Sequence, residues 1–395
     1  MARYEVKVGA TESDLIGRPC TLLAGGKKAQ GFQIVSRGKC STVERESLWR
    51  IAHDNPLAEY YITLTLAKLR EIDRDLLKLE EFLRSRLPRI SGKTTNIIVV
   101  RLFLEEGDSI SNSDLEYLWD LLNISGNDVA VPPILAFPKM VQFNKRIYQK
   151  FIQGFLSLSS SYQPNKLACS VPWGLSRGDV AEVLSWYDVA DPRFYLMDFG
   201  GRKPFSPAQE MIISSVLRKV NELHENEFYL YGFDVKPHKP GRDELPAENL
   251  LLLASGFNAV GPRRTPPRMS PQMIQRLRSS GPQPIPQSIR IFQRSDYGFH
   301  KLAEPGASRE FGAWLPSLQS IGGRITIRSI NDPSQLANFQ RLGRAFNYSV
   351  QSPEASLLAV KVGEQKLKEH LLTKDQAKKV VPRIEKIRKT AQIRH

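Results

Sequence analysis

The middle third of the chain carries apolar stretches that do not alternate with polar residues, and each is followed by an amphipathic stretch. Asn96–Leu104 (NIIVVRLFL), Val129–Phe137 (VAVPPILAF), Lys166–Val171 (KLACSV), Phe194–Phe199 (FYLMDF), Phe228–Val235 (FYLYGFDV) and the short Phe257–Val260 read as strands buried on both faces. Between them, helices are predicted around Leu115–Leu122, over Arg146–Phe155, over Asp179–Tyr187 behind a Ser176 cap, from Ser206-Pro207 to His224, and from Pro246 to Leu252. Repeated strand–helix units build a parallel sheet, because parallel neighbours need a crossover connection. At this number of units the pattern predicts an α/β fold, a TIM-like (β/α) barrel over residues 91–262, with a doubly wound sheet as the alternative.

The flanks read differently. Residues 1–90 are predicted as a small β-rich piece, with strands at Tyr4–Val8 and Phe32–Val35, followed by an amphipathic helix from Pro56 to about Leu87 that Pro88 stops. Residues 263–288 are a Pro/Arg-rich linker. Residues 289–395 are expected to form a basic C-terminal domain, with strands at Ser288–Phe292 and Gly323–Ser329. A helical tail follows over Glu364–Arg394, broken or kinked at Pro382.

Charge follows the same division. The chain holds 56 Lys+Arg and 41 Asp+Glu, a net of +15. Residues 262–395 hold 24 basic and 9 acidic side chains, also a net of +15, so residues 1–261 hold 32 of each and are neutral. A neutral body with a basic last third points to a polyanionic partner, since each cation near a phosphate releases condensed counterions. Arg263, Arg264, Arg268, Arg276 and Arg278 of the arm, with Lys378, Lys379, Arg388 and Lys389 of the tail, are the candidate phosphate contacts. Such contacts give affinity and no sequence information.

Three dispersed cysteines (Cys20, Cys40 and Cys169) fit free thiols in a reducing compartment. The opening MARYEVKVGA has no apolar signal core, and the longest apolar run, Leu250–Ala254, is too short to span a bilayer. The reading is a cytoplasmic protein without a membrane partner. No cofactor is expected. Cys20 and Cys40 form no CxxC pair and the six histidines form no HExxH unit, so no metal site is expected either. Ile90-Ser91-Gly92-Lys93-Thr94-Thr95 is not a phosphate loop, because position 87 is Leu87 and the segment precedes a strand.

Chemistry is best placed at the strand ends. Asp198 and Asp234 lie in the last residues of apolar strands, which in a barrel point to the catalytic mouth. A carboxylate there can serve as nucleophile or general base. Arg101 puts a charge inside NIIVVRLFL, where it requires a carboxylate partner or a ligand. Trp173, Trp186, Trp314, Tyr297 and Phe299 are candidate base-stacking faces, with Trp173 at a strand end and Trp186 read as core.

Residues 166–264 also carry an ordered series of pieces. These are Met197-Asp198-Phe199-Gly200-Gly201, Tyr229-Leu230-Tyr231-Gly232, Pro246-Ala247-Glu248-Asn249-Leu250 and Gly256-Phe257-Asn258-Ala259-Val260-Gly261-Pro262-Arg263-Arg264. In order and spacing this quarter of the chain resembles the second half of the barrel in tRNA-guanine transglycosylases. The resemblance implies base exchange in tRNA or DNA on a homodimeric barrel scaffold, with Gly200 and Gly201 admitting a planar ring close to the backbone. The pattern departs from the family at defined places. Its nucleophilic aspartate falls near Gly261, its base-reading Gln at Pro172, and its Asp-Ser-Gly-Gly-Phe segment has only Ala136-Phe137-Pro138-Lys139 opposite it. The cysteine-rich zinc motif is missing. Expected, then, is a transglycosylase-like protein with Asp198 and Asp234 as catalytic groups and Gly200, Gly201, Trp173 and Arg101 around the substrate. The alternatives are a non-catalytic nucleic-acid-binding protein on a degenerate barrel, and an unrelated barrel enzyme for a small anionic substrate.

Overall fold

The computed structural model describes residues 4–11, 14–37, 56–73, 75–87, 94–124, 126–137, 144–159, 167–237, 244–264, 289–302 and 336–392. The chain begins with three short antiparallel strands, β1 (Glu5–Val8), β2 (Cys20–Ala24) and β3 (Lys27–Gln30). Then come β4 (Gln33–Ile34), β5 (Ser36–Arg37), β6 (Leu57–Thr65), α1 (Leu66–Asp73), α2 (Leu76–Arg86), β7 (Thr95–Phe103) and α3 (Asn112–Ile124). They are followed by β8 (Val129–Ala130), β9 (Ile134–Ala136), α4 (Lys145–Ser157), β10 (Cys169–Val171), α5 (Asp179–Ser185), β11 (Phe194–Asp198), α6 (Pro207–His224) and β12 (Tyr229–Phe233). The remainder comprises β13 (Glu244–Pro246), α7 (Glu248–Leu251), β14 (Ala259–Val260), β15 (Ile289–Gln293), β16 (Gly298–Leu302), α8 (Leu336–Gly363), α9 (Leu367–Leu372) and α10 (Val381–Ala391).

The expected α/β class with parallel strands is observed. One parallel sheet runs β10-β11-β12-β14-β4, and a second runs β5-β6-β7-β8 with β9 pairing farther along β7. Only Val35 separates β4 from β5, and its N–H donates to the Val260 carbonyl at 2.9 Å. Ala130 forms a parallel bridge with Leu167, and Ala168 donates to the Ala130 carbonyl at 2.9 Å.

Both faces of these strands are buried, which is why period-2 alternation is missing, yet the faces have different neighbours. Leu57, Ile97, Val99, Phe194, Leu196, Tyr229, Tyr231 and Phe233, drawn from both sheets, share one apolar cluster. The intervening Ala58, Tyr60, Ile98, Val100, Leu102, Tyr195, Met197 and Leu230 pack in a second cluster with helical residues such as Trp119, Phe155, Ile213 and Leu217. Trp119 stacks on Phe155 at 4.3 Å and donates its indole N–H to the Phe155 carbonyl at 2.9 Å. α6 is opened by Ser206, which caps Gln209, and closed by Glu225 in the left-handed region at φ 46°.

The β1–β3 sheet sits at the amino ends of the parallel strands. The Tyr4 hydroxyl donates to Leu167 O and accepts from the Arg193 and Phe194 N–H groups, while Lys27 pairs with Asp128 at 2.7 Å. Tyr4, Cys20, Leu22, Ala24 and Ala29 join the cluster between the sheets and fill that end.

Several expectations need correction. Pro56–Leu87 is not one helix. Its first part is β6, because Tyr60, Tyr61, Ile62, Thr63 and Thr65 favour extended backbone, and helical structure starts only at Leu66 and restarts behind the Asp75 cap. A boundary at residue 90 would divide β6 from β7, which pair along their full lengths, and β4 pairs with β14. Val129–Phe137 is two short strands, since Pro132 and Pro133 cannot donate to a ladder. The described residues of 289–395 pack with the rest of the chain: β16 pairs with β13, and Ile291, Phe346, Leu358, Ile384 and Ile387 belong to the same cluster as α6. Pro382 opens α10 instead of breaking a helix, whereas Pro353 lies inside α8. The expected strand at Gly323–Ser329 and residues 265–288 of the linker lie outside the described residues.

Candidate active site

On three strands the apolar row that joins the cluster between the sheets ends in polar groups at the carboxyl end. Ile97 and Val99 are followed by Arg101, Phe194 and Leu196 by Asp198, and Leu57 by Glu59 and Tyr61. Asp234 follows the last residue of β12, and Arg264 lies four residues beyond β14. Alternation within the strands thus delivers charges from both sheets to one place.

There they form a continuous buried network. Arg101 donates from Nη2 to Asp198 Oδ2 at 2.8 Å and from Nη1 to Asp234 Oδ2 at 3.5 Å. The Gly200 N–H donates to Asp198 Oδ1 at 2.8 Å, and the Arg264 N–H to Asp234 Oδ1 at 2.7 Å. Arg264 reaches on to Glu59, donating from Nε to Oε1 at 2.5 Å and from Nη2 to the Glu59 carbonyl at 3.1 Å. The Tyr231 hydroxyl donates to Glu59 Oε2. Tyr61 lies beside both guanidiniums, each 5.8 Å from its ring centroid. The side chains of Asp198, Asp234 and Glu59 are fully buried, and those of Arg101 and Arg264 are 7% and 9% exposed.

Burial and charge tune these groups. Burial pushes the Asp198 carboxyl up to about 6, against the opposing pull of Arg101 and with further upward pressure from Asp234. Burial likewise raises Glu59, opposed by Arg264 and the Tyr231 hydroxyl, and moves the Tyr61 phenol up to about 12. With three carboxyls against two guanidiniums, a carboxyl near 6 can carry the proton that balances the network. Asp234 holds left-handed backbone at φ 55°, tolerated by Asp better than by most residues and imposed here where its side chain meets Arg101 and Arg264.

The sequence-predicted residues divide into three groups. Asp198, Asp234 and Arg101 are brought together. Gly200 and Trp173 meet as well, since a Cβ on Gly200 would stand 2.7 Å from Trp173 Cγ and Gly200 has φ +55°. Trp173 is not an open stacking face. Its ring lies against Gly200 and beneath the Arg202 guanidinium, 4.7 Å from the centroid. Gly201, also with positive φ, donates its N–H to the Asp234 carbonyl at 2.9 Å and so joins the loops after β11 and β12. Tyr297 and Phe299 are buried in the core, and Trp186 packs against it as expected.

The expected phosphate contacts fare differently. Arg264 is committed to Glu59, because a carboxylate buried inside the strands needs a counter-charge. Arg263 is half-buried beside it, and Arg268, Arg276, Arg278 and Trp314 lie outside the described residues. Lys378 pairs with Asp375 at 2.6 Å, Lys379 donates to Gln376 at 2.8 Å and Arg388 to the Asp14 carbonyl at 3.0 Å, while Lys389 is exposed.

Sequence reasoning missed Glu59, Tyr61 and Tyr231. Glu59 carries the same signal as Arg101, a charge inside a strand, but the leucine spacing that follows it reads as a helix. Position 261 is also informative. A Cβ on Gly261 would collide with the Tyr231 hydroxyl and the Glu59 carboxylate, so Glu59 fills the space that a side chain at 261 would need.

Among the described residues no group of three or more His, Cys, Asp or Glu is arranged to hold a metal ion, and no helix is long and apolar enough to cross a membrane. No protein-family model matches the chain, and no curated protein matches it.

Proposed function

We propose that the two parallel sheets are halves of one (β/α) barrel, and that its carboxyl-end mouth exchanges a base in tRNA or DNA. Supporting the barrel are the hydrogen bonds at the two joins, through Val35 and through Ala130 to Leu167 and Ala168. The observation that carries the chemical reading is the Arg101 bridge between Asp198 and Asp234, two carboxylates from adjacent strand ends.

In this reading an Asp234 oxygen bonds to the anomeric carbon as the glycosidic C–N bond breaks. The bond's electrons leave with the base, and the Asp198 carboxyl supplies the proton that the departing base takes up. The incoming base gives a proton to Asp198, attacks the same carbon and releases Asp234. A base in a duplex must first leave its stack to reach this depth. Cations of the last third, Lys389 among them, hold the phosphate backbone.

The complete burial of both carboxylates favours a second reading, a nucleic-acid-binding barrel in which the ion-pair network is structural. The test is incorporation of labelled guanine into a tRNA pool and a duplex DNA, run beside binding of both across a salt series. Exchange that disappears in Asp198→Asn and Asp234→Asn with binding intact supports the enzyme. Salt-sensitive binding without exchange, unaltered in both variants, supports the second reading. Binding no better than that of a neutral control protein removes both and leaves a small anionic substrate.

A further inference from the structure

On β6 the residues that face the cluster between the sheets become more exposed toward the carboxyl end. Leu57 and Glu59 are buried, Tyr61 and Thr63 half-buried and Thr65 exposed, whereas the alternate residues from Ala58 to Leu64 stay buried in the cluster shared with the helices. β7 repeats the pattern: Arg101 is buried and Phe103, next on that face, is half-buried. Thr63 pairs with Arg101, and Phe103 pairs with Thr65 on one side and with the half-buried Ala136 on the other. One face of these strands thus opens while the other stays closed, and the opening starts at the level of Arg101.

The side chains along this opening, Tyr61, Thr63, Thr65, Phe103 and Ala136, are uncharged. Tyr61 packs on the cluster between the sheets with its ring 5.8 Å from that of Phe233, while Phe103 belongs to neither apolar cluster. A half-buried phenyl ring left outside the core at the lip of an opening gains most from a flat apolar partner. Thr63 and Thr65 add hydroxyls that can donate or accept along the edge of such a partner. Past Phe103 the chain runs through Glu105, Glu106 and Asp108, all exposed, which repel an anion on this side. We propose that Tyr61 and Phe103 form the stacking surface for an uncharged heteroaromatic ring held beside Arg101, Asp198 and Asp234. The inference rests on the base-exchange reading and deepens it. The ring is the base, it lies against β6 and β7, and the phosphates of its strand point away from them. Stacking accepts any such ring by its flat face, so the choice among bases falls to polar groups at its edge.

The experiment is equilibrium dialysis of the full chain with labelled guanosine, adenosine, their monophosphates and ribose phosphate, beside thermal unfolding of each variant. At least one nucleoside should bind, no more weakly than its monophosphate, and ribose phosphate should not compete. Tyr61→Leu and Phe103→Leu should each weaken nucleoside binding about tenfold. Tyr61→Phe, which keeps the ring, should restore most of the affinity lost in Tyr61→Leu. If Tyr61→Leu does not fold, Phe103→Leu carries the test, since that ring lies outside both clusters. Side chains that only cover the network would change the melting temperature and leave nucleoside binding as in the parent, and that result overturns the proposal. So does binding of neither nucleoside, or ribose phosphate competing as well as guanosine. If folded leucine variants still incorporate labelled guanine into tRNA or DNA at the parent's rate, the stacking surface falls and base exchange stands. If nucleosides bind with the expected losses and no exchange occurs, the surface stands and base exchange falls.

Discussion

Arg101 and Asp198 are joined at 2.8 Å although they belong to different parallel sheets. The bond crosses the space between the sheets at the point where the apolar rows end, and the same guanidinium reaches Asp234. One arginine thus ties the carboxyl ends of β7, β11 and β12 together.

Replacing it should be costly. Arg101→Met leaves two buried carboxylates without their shared counter-charge, and the expected loss is about 3–5 kcal/mol in urea unfolding at neutral pH. Arg101→Met combined with Asp198→Asn and Asp234→Asn should recover much of that loss. A cost below 1 kcal/mol for the single variant would mean that the bridge contributes little.

Asp198 gives the fold a pH dependence of defined sign. Its folded value of about 6 lies above the ordinary 3.8, so the folded state keeps a proton that the unfolded chain releases. The resulting stabilisation is fully present below 3.8 and is lost as pH rises through 6. Its size is about 3 kcal/mol. Asp198→Asn, neutral at every pH, should flatten this part of the curve, as read from denaturation midpoints across the window. Arg101→Met should shift the window upward, since Arg101 holds the value down.

Two glycines separate backbone strain from packing. Gly26 and Gly200 both have positive φ, but a Cβ on Gly26 would meet nothing within 4 Å, whereas one on Gly200 would strike Trp173. Gly26→Ala should cost only the left-handed backbone term, about 1–2 kcal/mol. Gly200→Ala should cost more and alter Trp fluorescence as the indole is displaced. Equal costs and unchanged spectra would show that Trp173 yields freely.

The C-terminal helices are part of the core, so shortening the chain is not a neutral way to remove positive charge. Arg383 donates from Nε to the buried Glu210 of α6 at 2.5 Å, and Ile384 and Ile387 pack into the main apolar cluster. Ending the chain before α8 should abolish cooperative unfolding. Arg383→Met should cost about 1.5–3 kcal/mol and raise hydrogen exchange in Val381–Ala391 ahead of the rest. Intact cooperativity after truncation would contradict this packing. Single substitutions such as Lys389→Glu are the sounder probes of phosphate contact.

Much of the parallel arrangement was legible because strands buried on both faces leave continuous apolar runs, and Arg101 stood out as a charge within one. Asp198 and Asp234 were legible as strand-end carboxylates, though nothing local announced that one arginine would hold both. β6 was hidden: Leu64, Leu66 and Leu69 continue into helical spacing, and the period of the helix masked the extended residues before it. Glu59 was lost with it. The basic last third was visible as charge, but charge does not record packing, and α8 to α10 contribute Leu358, Leu367 and Ile384 to the core. Arg264 sits in a run of cations by sequence and beside a buried glutamate in space.

Gln33 pairs with Ala259, and Gly17 lies against Val362 and Leu367. Residues 17 and 33 therefore wait for partners more than two hundred residues later. During synthesis β4 has no parallel neighbour on the β14 side until residue 260 has left the ribosome, and the pocket around Gly17 stays open until α9 has emerged. Contacts so distant in sequence make folding slow and leave strand edges uncovered meanwhile. Until those later segments are made, the edge of β4 offers unpaired backbone groups to any other extended chain nearby.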